Sequence, residues 1–372
     1  MKFSADRQTF HKVVSIVDSI IPAREIRSII SNILIEAEGD RVVLTATDLE
    51  IGIKTFLNVD SVEQKGKITL PAKKLSQAIR EFRGNKIEFH SNEDDRIVIR
   101  DPSGVSGARI TLMGTPSDEY PIIPTLDESK YSEFPINHVQ EMIRKTSYSM
   151  AEEDARYVFN GLYIINEDKK VSVVATDGRR LSRITREFPE SLPFKDGIIL
   201  PNKAVREMLK VLDSGEEGRI AFESKDRRVY FRLGNVDLIT KLIDGQYPDY
   251  EQVIPGKLEQ KIVVDRTALE NSLRQVAVMA AEPSRQVRVT FGSNQLTISA
   301  ATPDVGEAQD TVPTDYNGDD VTIAFNSNYL LDVLKVLNIE RVSIGFSSSS
   351  APVVLLDPDD NEFIAVIMPM KM

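Results

Sequence analysis

Residues 42–51 read VVLTATDLEI, and residues 171–181 read VSVVATDGRRL. Each is an apolar run of strand length that ends on Ala-Thr-Asp. Aspartate there favours a turn, because its carboxylate accepts hydrogen bonds from the backbone N–H groups just ahead of it. A third stretch, LTISAATPDV at 296–305, ends in a similar turn. A strand and turn that return at a fixed distance mark an internal repeat. The shared aspartates, Asp48 and Asp177, are therefore predicted to be structural. What differs is Gly178-Arg179-Arg180-Leu181, and function is expected at that difference.

Outward from these turns the repetition continues. Each is preceded by a strand and an amphipathic helix, at 1–20, 132–150 and 260–280. Each is followed by a strand-to-helix junction: ITLPAKKLSQAIREF, IILPNKAVREMLKVL and VTIAFNSNYLLDVLKVL. A hairpin and a last strand close each repeat. In the junction helices Leu75, Ala78, Ile79 and Phe82 share a face, as do Val205, Met208, Leu209 and Leu212, and Leu330, Val333, Leu334 and Leu337. Pro71 and Pro201 stand just ahead of two of them, where a missing N–H is harmless. Residues 96–100 and 109–112 alternate as half-buried antiparallel strands do. The repeat, about 125–130 residues, is too long for a solenoid and has the size of a domain. The predicted fold is α+β: three similar domains, 1–126, 127–255 and 256–372, each with two helices on antiparallel sheet.

The chain has 372 residues, of which 41% are hydrophobic and 28% charged, enough apolar mass for several cores. It has no cysteine, which excludes disulfides, thiol catalysis and thiolate metal sites and fits a reducing compartment. Its opening residues, MKFSADRQTF, lack the apolar stretch of a secretory signal, so a cytoplasmic location is expected. The net charge of −11 argues against nucleic-acid binding unless the basic residues gather on one surface. They do concentrate on helices. Segment 72–83 carries Lys73, Lys74, Arg80 and Arg83 against Glu81; segment 136–149 carries Arg144 and Lys145 against Glu141; segment 202–213 carries Lys203, Arg206 and Lys210 against Glu207 and Asp213. Strands and loops then hold the acidic excess. Helices facing phosphates, with an acidic exterior, would reconcile the two.

Nothing in the sequence points to catalysis. There is no phosphate-binding glycine motif. His11, His90 and His138 lack partners at metal-ligand spacing. The pairs Asp94-Asp95, Asp319-Asp320 and Asp359-Asp360 sit in turn-like polar stretches. No catalytic residue, metal or cofactor is predicted. Two rival classes, an adaptor without a DNA role and a metal-dependent enzyme using the Asp pairs, stay open on residues alone.

Eight segments in order, from the MKF start through ATDLE, LPAKKL, SMAEEDARYVFNGL, ATDGRRL, KLIDGQYPDY and FNSNYLLDVL to the terminal VIMPMKM, resemble the bacterial DNA polymerase III β subunit family, the sliding clamps. The resemblance covers essentially the whole chain. It implies a head-to-tail homodimer forming a closed ring around duplex DNA, helices inside and sheet outside, that tethers the polymerase catalytic subunit, clamp loader and other partners.

By the same resemblance, partners insert a short peptide into a pocket formed by Thr176, Gly178, Arg179, Arg180, Leu181, Pro248, Val253, Val366 and Met368, beside Arg156, Phe159, Asn326, Tyr329, Pro369 and Met370. Methionine suits a lining that accepts several ligands. Arg179 stands where the family often has His, and Val158 and Phe159 also depart from its common residues. The helix cations and Arg24 would face DNA; Glu153 replaces one family contact there. Ile110 and Leu112 of one subunit would meet Val278 and Met279 of the other.

Overall fold

The computed structural model describes residues 1–21, 29–59, 61–91, 94–102, 104, 107–212, 218–223 and 226–372, without the side chain of Glu128. Arg24 and Asp213 lie outside the described residues. Among the described residues the α-helices are α1 (Arg7–Asp18), α2 (Ala72–Glu81), α3 (Ile136–Thr146), α4 (Asn202–Leu212), α5 (Arg266–Ala277) and α6 (Ser327–Val336), two in each repeat. By their contacts the described residues form two compact units: Met1–Asn137 with Leu192–Phe194 and Arg206–Leu242, and His138–Ser191 with Lys195–Val205 and Ile243–Met372.

Strand pairing explains why the units cut across the repeats. In the first unit, a five-stranded sheet runs from Val62–Gln64 through Lys2–Asp6, Lys86–Ser91 and Arg96–Arg100 to Arg109–Met113. An eight-stranded sheet then joins Ile51–Asn58 of the first repeat to Val236–Lys241 of the second, antiparallel, with Thr55 opposite Val236 and Ile53 opposite Leu238. The second unit repeats the device. Arg180–Glu187 pairs with Asp360–Ile367, so Leu181 lies opposite Val366 and Ile184 opposite Phe363. Its other sheet, of four strands, ends on Gly306–Pro313.

The helices bury the faces that the periodicity marks. Leu75, Ala78, Ile79 and Phe82 are buried, as are Leu330, Val333, Leu334 and Leu337. In α4, Ala204, Val205, Met208, Val211 and Leu212 close the face, whereas Leu209 is half-buried. Asp6 and Asp265 cap α1 and α5 by accepting from the N–H groups of Thr9 (2.8 Å) and Ala268 (2.7 Å), each worth about 1 kcal/mol. Phe3, Phe10 and Phe89 fill the core under α1, with ring centroids 4.7 Å apart for Phe3–Phe89 and 4.8 Å for Phe10–Phe89. One strand departs from expectation. In Arg96–Arg100 the consecutive side chains Ile97, Val98 and Ile99 are all buried, so both faces of that strand are covered; alternation holds at Arg109–Met113, the edge.

Candidate functional site: a groove beside the Thr176–Leu181 turn

The two Ala-Thr-Asp turns share one backbone. In the first, Asp48 Oδ1 accepts from the N–H groups of Glu50 (3.0 Å) and Ile51 (2.7 Å). In the second, Asp177 Oδ1 accepts from those of Arg179 (2.9 Å) and Arg180 (3.0 Å). The threonines match as well. Thr47 Oγ1 donates to the Ile51 carbonyl and Thr176 Oγ1 to that of Arg180. The neighbouring strand docks alike: Lys241 N–H donates to the Glu50 carbonyl (3.1 Å), and Met368 N–H to that of Arg179 (2.9 Å). Asp48 and Asp177 therefore hold turns, as predicted. Glu50 corresponds to Arg179, Ile51 to Arg180, and Gly52 to Leu181.

The second turn adjoins an apolar cluster that holds several of the residues expected at the pocket. Leu181, Phe159 and Val366 belong to one apolar cluster with Tyr247, Val174, Ile199 and Val354. Against it lie the partly buried Val158, Tyr250 and Ile254. Tyr247 stacks on Tyr163 (4.6 Å) and meets Phe159 edge-on (5.9 Å). Burial pushes the Tyr247 hydroxyl well above its ordinary value, so it stays neutral. At the rim Met368 and Val253 are 38% and 41% exposed, which leaves apolar surface for a ligand. Pro248 is exposed beside Tyr247. Met370 donates its N–H to the Ala324 carbonyl (2.8 Å), two residues before Asn326, which caps α6.

Cations line the polar side. The Arg156 guanidinium lies over the Phe159 ring (4.5 Å), pairs with Asp154 (2.9 Å) and donates to the Asp177 carbonyl (3.3 Å). Hydrogen bonds from Arg156 pull Asp154 down to about 2. Gly178 takes φ +83°, and a Cβ there would stand 2.9 Å from Arg156 Nη2. Glycine is thus needed both for the backbone and for the arginine above it. Arg180 pairs with Asp177 (3.1 Å) and with Asp332 on α6 (2.6 Å), and lies over Tyr329 (4.5 Å) and Tyr148 (5.5 Å). All fifteen residues expected at the pocket lie in this second unit, on the turn, the 156–159 and 248–253 segments, the start of α6 and the C-terminal strand and tail. Tyr247, Tyr148 and Asp332 were not singled out by sequence. Tyr247 alone had a signal, a Tyr-Pro pair repeated at Tyr120-Pro121 and Tyr247-Pro248.

Of the cations expected to face DNA, Lys73, Lys74, Arg80, Arg83, Arg144, Arg206 and Lys210 are exposed and Lys203 is half-buried. Arg80 pairs with Glu81 (3.3 Å) and Lys210 with Glu207 (2.8 Å). Lys145 is a correction. It is buried and held by Glu141 (2.9 Å), Asp360 (3.3 Å) and Asp357 (3.8 Å), so its ammonium is committed to carboxylates. Arg186 completes that cluster through Glu141 (2.7 Å) and Asp360 (2.5 Å). Burial opposes ionisation of Asp360 and Glu141, but the bonds from Arg186 and Lys145 outweigh it and hold both carboxyls below their ordinary values. Ile110 and Leu112 are half-buried on the edge strand Arg109–Met113; Val278, after α5, is 75% exposed, and Met279 is half-buried.

Family models for the DNA polymerase III beta subunit match the chain in sequence: the N-terminal domain over residues 1–124, the central domain over 133–249 and the C-terminal domain over 251–371. The chain belongs to the DNA polymerase III beta subunit family. It is 31% identical to the beta sliding clamp of Haemophilus influenzae and 30% identical to that of Chlamydia pneumoniae, covering 100% of this chain with each and 100% and 99% of theirs. Its fold superposes on a sliding clamp of Bartonella birtlesii bound to griselimycin with a TM-score of 0.93 at 28% identity, and on one from Pseudomonas aeruginosa bound to griselimycin with 0.92 at 28%, each covering 100% of both chains. As a family member the chain is a non-catalytic processivity factor, a clamp that tethers polymerase and other partners to DNA. Among the described residues no helix is long and apolar enough to cross a membrane.

Proposed function

We propose that the groove beside Thr176–Leu181 receives a short, largely apolar peptide from each partner protein, with Leu181, Val366, Met368 and Met370 forming its floor and Arg156, Arg179 and Tyr329 its polar side. The observation that carries this is the divergence of two turns with one backbone. The second has Gly178 where the first has Leu49, and there the buried Leu181 and Val366 lie beside Met368 and Val253, which are 38% and 41% exposed. Exposed methionine adapts its shape to several ligands at little cost. Griselimycin would occupy the same groove. Titration of the full-length protein with griselimycin tests this: Met370→Ala and Leu181→Ala weaken binding, and unchanged affinity in both removes the assignment.

The ring belongs to the same reading. Gly306–Pro313 is the third repeat's counterpart of Ile51–Asn58 and Arg180–Glu187, while Arg109–Met113 is the first repeat's counterpart of Val236–Lys241 and Asp360–Ile367. Among the described residues these two strands end their sheets without a neighbour. Pairing them between two copies removes both edges, which are otherwise aggregation hazards. It also brings Ile110 and Leu112 towards Val278 and Met279, and yields three domains per subunit with bounds near Leu126 and Pro255. Lys73, Lys74, Arg80, Arg83, Arg144, Lys203, Arg206 and Lys210 then face the duplex, and the compartment is the cytoplasm. Enclosure makes strong phosphate contacts unnecessary, which suits a chain of net charge −11. The test is retention: protein loaded on nicked circular DNA survives a high-salt wash and leaves when the circle is cut. Loss in the wash, while a control clamp is retained, removes the ring.

A further inference from the structure

Arg180 is an expensive residue to bury. Its side chain is 12% exposed, and a guanidinium withdrawn from water is tolerated only when its charge and donors are met. The fold does not need it. Ile51, its counterpart in the first turn, is 2% exposed and supports the same backbone without any charge. The helix acid beside it changes its partner. Asp332 is the sixth residue of α6 and bonds Arg180 at 2.6 Å. Glu207, the sixth residue of α4, instead pairs with Lys210 and accepts from Ser19. Of these two positions, only at the turn does the second unit place a charge, Arg180, where the first places an aliphatic side chain, Ile51; the helix acid is present in both and finds a different partner.

What the charge achieves is visible in its neighbours. The Arg180 guanidinium contacts two rings, Tyr148 at 5.5 Å and Tyr329 at 4.5 Å. Tyr148 is fixed by a hydrogen bond with Ser182 (2.5 Å), which also bonds Ser149 (2.8 Å). Two carboxylates, Asp177 and Asp332, take the guanidinium donors. Arg180 and Tyr329 are assigned to the peptide groove above; Asp332 and Tyr148 are not. We propose that Asp332 and Tyr148 are positioning residues that lock the Arg180–Tyr329 wall and thereby preorganise the groove for its ligand, without touching it. This rests on the reading of the groove as the partner site. A wall held in place loses less freedom on binding than one that must be ordered by the ligand.

Griselimycin titration of the full-length dimer is the experiment, with the melting temperature of every variant recorded. Asp332→Asn keeps the shape but removes the charge, and is expected to raise Kd on the order of tenfold, with little change in melting temperature. Asp332→Glu restores most of that loss. Tyr148→Leu, which removes the ring, weakens binding by about threefold, while Tyr148→Phe retains wild-type affinity. Wild-type affinity in both Asp332→Asn and Tyr148→Leu, while Leu181→Ala still weakens binding, overturns the positioning role and leaves the groove intact. Wild-type affinity in Leu181→Ala and Met370→Ala removes the groove and this inference with it.

Discussion

At Thr47–Gly52 the turn is closed. Leu49 occupies the left-handed position at φ +77°, and the space that a Cβ on Gly52 would fill is taken by Ile123, whose Cδ1 lies 2.8 Å from it. At Thr176–Leu181 the same backbone is open. Gly178 occupies the left-handed position, Leu181 fills its own place, and Arg156 and Arg180 stand on either side. The difference teaches that the Asp-held turn is scaffold. In the proposed reading, function was added by changing which side chains stand on it. A duplicated fold supplies an internal control, since whatever the first turn manages without cannot be required for folding.

The same contrast recurs farther along the strand and gives the largest expected effect. Leu57 in the first unit corresponds to Arg186 in the second, where Arg186, Lys145, Glu141 and Asp360 form a partly buried cluster. Arg186→Leu would import the first unit's residue but leave carboxylates without their main partner. It should cost about 3 kcal/mol in urea denaturation. A cost below about 1 kcal/mol would show the cluster to be merely tolerated.

Next in size is Gly178→Leu, which imports Leu49. The side chain must displace Arg156 and roof the groove, so griselimycin affinity should fall about a hundredfold, with a stability cost of about 1 kcal/mol for the left-handed leucine. Binding within threefold of wild type would break the contrast between open and closed turns. Acid should separate the units more gently. Asp360 and Glu141 have lowered pKa values in the fold, so their contribution is full above the ordinary carboxylate range and is lost as pH falls through the folded values. The urea midpoint should therefore drop between about pH 5 and pH 3, and drop less in Arg186→Leu. An equal drop in both proteins would place the acid-sensitive groups elsewhere. The smallest effect belongs to the shared scaffold. Asp48→Ala removes two backbone hydrogen bonds and should cost about 1 kcal/mol, while griselimycin affinity is unchanged. A change in affinity would mean that the first turn is not merely structural.

Much of this was legible in the chain. Three strand–turn–helix repeats and the two aspartates could be read directly, because periodicity and turn chemistry are local: a residue's role there depends on neighbours a few positions away. The residues proposed for the groove came from resemblance rather than from pattern, since Phe159, Leu181, Tyr329 and Met370 are spread over more than two hundred positions and share no spacing. Lys145 shows where local reading fails. On its helix it looks like any exposed cation beside Glu141, but Asp357 and Asp360 approach it from a hairpin far along the chain and bury it.

By itself, then, the sequence determined the repeat, the amphipathic faces, the Asp-held turns and the absence of thiol chemistry, all of which follow from composition and short-range order. The tertiary structure alone decided which repeat halves share a sheet, that Arg109–Met113 and Gly306–Pro313 end theirs, and that Arg180 contacts two tyrosines while Ile51 needs neither. Those outcomes depend on strand register and on which side chains meet across it, and pairings between distant segments leave no periodic trace in the chain.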